Sequence, residues 1–392
     1  MVLFAERQII KLNDKITTTN LTKNKQNILP KQRESNLELF RIITMMLIVA
    51  HHFVVNSGLI AADGPIIAAP TSASSIFLIL FGAWGKIGIN CFVMITGYFM
   101  CKSQITAKKF AKLVGEWLFY RYAIHLVFIV LGVEPVSLKG LIKMIVPITT
   151  LSNNFTSCFV VFWLFIPILN RLIGAINERQ HLYLLLLAGF TYVFFGTVHR
   201  VTTNYVSWFM VIYFIASYIR LYPKKWMSSK LLCGLLLLIS MALSAISVIV
   251  CAYKGVSLFF FVTDSNTFLA VMVGVFGFLF FKNIRIPYSK FINTVAASTF
   301  GVLCIHAHSD NMRQWLWKDT LDNVGHYGDK LMPLYAIGCV IGVFAICTII
   351  DIIRIHLLEK PFLKWWDSFE IWLKKNVKKL FQKLNVRAIF SS

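Results

Sequence analysis

Long apolar runs separated by short polar stretches fill the chain from about residue 37 to residue 357. Each run approaches the roughly 20 residues that a helix needs to cross a hydrocarbon layer about 30 Å thick. Ten spans are predicted, near 37–57, 76–99, 110–133, 155–173, 182–198, 205–222, 231–252, 266–282, 291–308 and 333–357. No segment alternates apolar and polar residues with strand periodicity, which argues against a β-barrel. The expected fold class is therefore all-α: a polytopic membrane protein of about ten transmembrane helices. Ser35-Asn-Leu-Glu38 has the form of a capping box, so the first helix is expected to start at Ser35.

Composition agrees, with 57% hydrophobic and only 14% charged residues and a mean hydropathy of +0.70. A soluble domain carries nearer a quarter charged residues. A net charge of +22 invites a nucleic-acid reading, but its placement fits the positive-inside rule instead. With the N-terminus inside, only Lys139, Lys143, Arg200, Lys254, Arg313, Lys318 and Lys330 fall outside, and Lys86 and Arg121 fall within spans. Both termini are thus expected in the cytoplasm. No basic groove interleaved with aromatics speaks for nucleic acid.

Three segments follow. Residues 1–36 form a polar basic cytoplasmic extension, with seven Lys/Arg against three Asp/Glu and no signal-peptide core. Residues 37–358 form the transmembrane domain. Residues 359–392 form an amphipathic basic tail, in which Phe362, Trp366, Phe369, Leu373, Val377, Leu380 and Leu384 recur at helical spacing. Lys374, Lys375, Lys378, Lys379 and Lys383 fill much of the rest, which predicts a helix resting on the anionic leaflet.

Arg41 and His52 stand eleven residues apart in the first span. At about 100° per residue they share one helix face, and at about 1.5 Å per residue His52 lies roughly 16 Å beyond Arg41. Ionisable groups are costly at such depth and mark function by default. If Arg41 marks the water boundary, His52 is near mid-membrane. A neutral imidazole there can accept a proton from an attacking hydroxyl. The competing role for His52 is a polar bond between helices, and for Arg41 an ordinary topology anchor. His51 points about 100° away, either into the same cavity or into packing. Glu38, one turn before Arg41, is either its ion-pair partner or the capping-box acid. Lys109 and Lys112 are one turn apart at the cytoplasmic mouth of the third span, where they can bind phosphate or simply supply charge asymmetry.

His306 closes the ninth span near the outer face, and the loop 309–332 follows with Trp315, Trp317 and several carboxylates. These three residues are candidates for the acceptor side, since tryptophan faces suit sugars, although tryptophans near a membrane surface also serve as belt anchors. The eight cysteines form no CxxC, and neither a metal site nor a disulfide framework is expected. No phosphate loop, GxSxG elbow or HExxH occurs, so an ATPase, a serine esterase and a metalloenzyme lack support.

Five blocks carry a family resemblance: NLELFRIITMMLIVAHHFV, GKIGINCFVMITGYF (85–99), FWLFIPILNRLI (162–173), STFGVLCIH (298–306) and LLEKPF (357–362). They resemble, in order, motifs of the acyltransferase-3 family of integral membrane acyltransferases, near its Gram-positive polysaccharide O-acetyltransferase branch. The first carries Arg/Lys-x10-His, the second ends in Gly-Tyr, and the third in Pro-x-x-Asn. The fourth matches Tyr-Gly-x-Tyr-Leu-x-His without its usual tyrosine, and the last has Glu-Lys/Arg-Pro. The resemblance implies ten spans, cytoplasmic termini and a bacterial-type plasma membrane. It also implies transfer of an acyl group other than aminoacyl, usually acetyl from acetyl-CoA as co-substrate with no permanently bound cofactor.

The resemblance further implies that His52 is catalytic base or acyl carrier, with Arg41 beside it. Lys109-x-x-Lys112 stands where some members have Arg-x-x-Arg, which keeps the charge but loses the bidentate fork. The implied acceptor is a hydroxyl of a surface polysaccharide, exopolysaccharide or lipid-linked precursor, with membrane lipids around the bundle. A transporter or flippase of a lipid-linked saccharide is the rival reading. Such carriers often show internal repeats, and none stands out here.

Overall fold

A computed structural model describes residues 33–136, 154–199, 204–256, 258–259, 262 and 264–390, with the backbone alone for Lys374 and residues 378–390. The segment before residue 33, the outer cations Lys139, Lys143 and Arg200, and the side chains of Lys374, Lys378, Lys379, Leu380, Lys383 and Leu384 lie outside this description. The described chain is helical, without strands. Its principal helices are α1 (Ser35–Val55), α2 (Ala73–Gly82), α3 (Gly85–Met100), α4 (Ala107–Val130), α5 (Phe155–Ala175), α6 (Glu178–Val198), α7 (Tyr205–Leu221) and α8 (Lys230–Lys254). There follow α9 (Phe268–Asn283), α10 (Lys290–Ala297), α11 (Thr299–His306), α12 (Asp310–Thr320), α13 (Met332–Arg354) and α14 (Lys360–Phe390).

Seven of these helical segments are long and apolar enough to cross a membrane, and an eighth is if the bent pair Lys290–His306 and Asp310–Thr320 counts as one. The shorter α7 and α9 are apolar helices of 17 and 16 residues. A helix stands at each of the ten predicted positions.

The bundle is organised around α3, in which 14 of 16 residues are buried. Asn90 of α3 is fully buried yet satisfied, donating to the Ser265 and Ala270 carbonyls (2.6 and 3.2 Å) and accepting from Trp208 Nε1 (3.0 Å). A buried amide with filled hydrogen bonds fixes register where packing alone permits sliding. By contrast, only 11% of the α6 window is buried, and exposed Leu182, Leu186 and Leu187 suit contact with lipid.

The polar motif residues act as ties. Asn170 of the Pro-x-x-Asn block donates to the carbonyls of Met100 (3.1 Å) and Ser103 (3.3 Å) and accepts from Tyr213 Oη. Arg354 is ringed by Asp351 (2.7 Å), Glu359 (3.0 Å) and Glu116 (3.2 Å), while Tyr120 Oη donates to Asp351 at 2.8 Å. This cluster clamps α4 to the C-terminal end of α13. Gly301 lets α11 approach it, since a Cβ there would overlap the Asp351 carboxylate.

Two local expectations need correction. Ser35 begins α1 but does not cap it. Its Oγ accepts from the Ser289 N–H (2.9 Å) and Asn293 Nδ2 (3.0 Å), tying α1 to the start of α10. Glu38 turns towards Arg41 and Arg33 instead of back to the helix start. Met332–Val377 runs as one 46-residue helix through residue 358. A π-helical turn at Ile355–Glu359 absorbs the change of face without breaking the backbone ladder. Lys108 further secures the tail helix through Asp367 (2.6 Å).

Candidate active site

α1 connects two cavities. Arg41, near its start, lines one of about 700 Å³, and His52, in its last turn, lines another of about 810 Å³. His52 therefore lies three residues from the end of the helix.

His52 Nδ1 is 2.9 Å from His306 Nε2, and His306 Nδ1 is 2.6 Å from the Val302 carbonyl. A carbonyl only accepts, so His306 Nδ1 carries a proton and donates it to Val302. In the neutral ring, His306 Nε2 is then an acceptor, which requires His52 Nδ1–H to donate to it. His52 Nε2 is left with a free lone pair, the state needed in a general base. Phe53 and His306 both meet Trp317 edge-on, with ring centroids 6.0 and 6.4 Å apart, which backs the pair with a rigid apolar wall.

His306, expected on the acceptor side, is thus brought directly onto His52. Trp317 is not a sugar contact, because it is fully buried behind the pair. The chain bends by 95° after His306, and α12 folds back over the end of α1 where a loop was expected. Trp315 is not among the residues lining the His52 chamber. It packs against Phe128 and lines a separate apolar groove of about 840 Å³ beside α4 and α13.

His51 lines the His52 chamber and not the basic cavity. Its Nδ1–H donates to the Gly82 carbonyl at 2.6 Å, where α2 gives way to α3. Gly85 is needed there because a Cβ would overlap the His51 ring. Lys86, Tyr205, Asn56, Ser309, Asp310 and Arg313 supply most of the chamber's polar wall.

The opposite cavity is basic, with Arg33, Arg41, Lys102, Lys109, Lys112 and Arg220 against Glu34, Glu38 and Glu116. Not all these cations are free for a ligand. Arg41 Nε lies 3.4 Å from buried Glu38 Oε2, with the guanidinium 5.3 Å from the Phe92 ring centroid. Lys112 pairs with Glu359 at 2.6 Å, so it is neutralised by the closing motif. Glu38 cannot itself bind phosphate and serves to hold Arg41. Lys109 donates to Ser103 Oγ (2.8 Å) and the Gln104 carbonyl (3.0 Å), and no described carboxylate offsets its charge.

Sequence reasoning missed Arg220, whose Nη1 donates to Tyr98 Oη at 2.6 Å. Its guanidinium lies 4.5 Å from the Tyr98 ring centroid. The available signal was its position in the last turn of α7, at the same end of the bundle as Lys109. Arg220, Lys102 and Lys109 are the better anion ligands, with Arg41 and Lys112 as pre-paired neighbours.

Packed rings separate the cavities. Phe92, Phe159 and Phe300 line the basic side and Phe155 the His52 side. Phe159 meets Phe92, Phe155 and Phe300 with centroids 5.6, 5.5 and 5.8 Å apart. Among the described residues no cluster of His, Cys, Asp or Glu is arranged to hold a metal ion, and all eight cysteines are free thiols.

Residues 34–352 match the family model described as an acyltransferase domain. No curated protein and no solved structure matches the chain. The matched range includes the His52–His306 pair and, apart from Arg33, the residues lining both cavities, and the chain belongs to the acyltransferase-3 family.

Proposed function

We propose, taking membership of this membrane acyltransferase family as the premise, that the protein transfers acetyl from acetyl-CoA to a saccharide hydroxyl. The acceptor is a cell-surface polysaccharide or its lipid-linked precursor. The observation that carries the reading is the 2.9 Å His52–His306 contact, which leaves a lone pair on His52 Nε2 at the wall of a polar chamber. Family membership also favours chemistry over the carrier reading.

The charge asymmetry of the loops orients the basic cavity towards the cytoplasm of a bacterial-type plasma membrane, where acetyl-CoA is available. Lys102, Lys109 and Arg220 bind the donor's phosphates there, and the pantetheine arm runs along α1 towards His52, about 16 Å from Arg41. The rings of Phe92, Phe159 and Phe300 must part to let the arm through. Steering the thioester in this way supplies orientation, which can lower a barrier by several kcal/mol, up to about 7–11 in ideal cases.

His52 Nε2 then takes the proton of the acceptor hydroxyl as its oxygen attacks the thioester carbonyl. The new C–O bond forms, the C–S bond breaks, and the imidazolium returns its proton to the departing sulfur as free thiol. His306 acts through His52, holding the productive tautomer and ring orientation. General-base catalysis of this kind contributes about 10²–10⁴-fold.

The test is acetyl-CoA turnover by purified protein in lipid nanodiscs with a glycan acceptor, paired with NMR of surface polysaccharide from cells with and without the protein. Acetyl ester on the glycan supports the reading and identifies the position. Saccharide transport without ester formation would sink it.

A further inference from the structure

The His52 chamber holds a cation that the proposed chemistry does not use. Lys86 lies in the first turn of α3, within the membrane-spanning segment Ala73–Met100. Its ammonium donates to Tyr205 Oη at 2.9 Å and lies 5.6 Å from that ring's centroid. Both contacts are with a neutral phenol, and an ammonium has three N–H donors to fill. The other opposite charges on the chamber wall pair with each other, Arg313 Nη1 lying 2.7 Å from Asp310 Oδ1. Among the described residues no carboxylate forms an ion pair with Lys86.

A charge inside a membrane-spanning segment is costly unless something of opposite sign meets it. The surroundings increase the positive potential. α5 and α7, of 21 and 17 residues, begin at the chamber, with Asn154, Phe155, Thr156 and Tyr205 in its wall. Gly85 and Lys86, where α2 runs on into α3 within the 28-residue segment Ala73–Met100, line the same space. Helix N-termini carry partial positive charge and favour anions. The donor's phosphates do not account for this field, because their cations lie in the other cavity, beyond the layer of phenyl rings.

We propose that the chamber beside His52 is a binding site for an anionic acceptor. Lys86 and the converging helix ends hold a carboxylate or phosphate of the saccharide while a hydroxyl of the same molecule faces His52 Nε2. This rests on the reading of the chamber as the acceptor site and adds the acidic group to it. Specificity follows from geometry, since a neutral saccharide leaves the Lys86 charge uncompensated.

The experiment measures binding separately from transfer. Wild-type protein, Lys86→Met and Lys86→Arg, all in nanodiscs, are titrated with a glucuronate-containing tetrasaccharide. Its carboxyl-reduced counterpart and a glycerol-phosphate-substituted tetrasaccharide are titrated alongside. Wild type is expected to bind at least one charged ligand about tenfold more tightly than the neutral one, with the margin shrinking as salt rises. Whichever charged ligand shows the margin identifies carboxylate or phosphate as the recognised group. Lys86→Met should bring the ratio to about one and Lys86→Arg should keep it, with monodisperse elution of both variants as the folding control. A wild-type ratio of one, or an unchanged ratio in a folded Lys86→Met, overturns the proposal. Failure of acetyl transfer with the charge preference intact would count against the acetylation reading alone.

Discussion

The two ends of α1 open onto cavities of similar size, about 700 and 810 Å³, yet they handle charge differently. At the Arg41 end, two motif cations meet the ligand space already paired, Arg41 with Glu38 and Lys112 with Glu359. At the His52 end Arg313 pairs with Asp310, and among the described residues no carboxylate pairs with Lys86. A pre-paired cation contributes chiefly to holding its helix in place, because a ligand must compete with the internal carboxylate. An uncompensated cation draws its partner from the ligand. The resemblance of sequence blocks therefore marks the architecture of the Arg41 end well, but not which cations are available there.

Breaking the His–His contact should have the largest effect on this comparison. Replacing His306 with Leu leaves His52 without its tautomer lock, and kcat should fall roughly 10²-fold with little change in KM. Replacing it with Gln, whose carbonyl can still accept from His52 Nδ1–H, should restore part of the loss. Steady-state kinetics on both folded variants checks this, and equal losses would reduce His306 to a packing residue.

Changing an unpaired donor-side cation comes next. Arg220→Met should raise the KM for acetyl-CoA by about tenfold at nearly constant kcat. Arg41→Met should raise it by only a few-fold. It should also lower thermal stability by about 1–3 kcal/mol, because buried Glu38 would keep only the longer Arg33 contact. A larger KM effect at Arg41 than at Arg220 would reverse the assignment of free and pre-paired cations.

The smallest effect is expected at the layer between the cavities. Phe159→Ala should leave transfer within a few-fold while raising uncoupled hydrolysis of acetyl-CoA several-fold, because water gains access to the thioester. Unchanged hydrolysis would mean that Phe159 is not part of the barrier.

Much of this was legible in the chain. Hydropathy placed a helix at each predicted span, and the 3.6-residue period put Arg41 and His52 on one face. The contact between His52 and His306 was not legible, because it joins residues 254 apart and depends on how α1 and α11 cross. Ser35 and Glu38 looked like a local cap, yet Ser35 Oγ is taken by Ser289 and Asn293 across the bundle, and Glu38 by Arg41 one turn further along the same helix. Trp317 read as a surface residue because nothing in residues 309–332 announces the 95° turn that buries it. Lys86 was visible as a charge within a span. Its importance emerged only when its neighbours proved neutral.

The most direct test of the central claim is a single-turnover measurement of acetyl transfer from labelled acetyl-CoA to acceptor, comparing wild type with His52→Ala at equal membrane abundance. If His52 is the base, the variant should transfer at least about 10³-fold more slowly while still binding acetyl-CoA in the distant basic cavity. Transfer at the wild-type rate in folded His52→Ala would contradict the account.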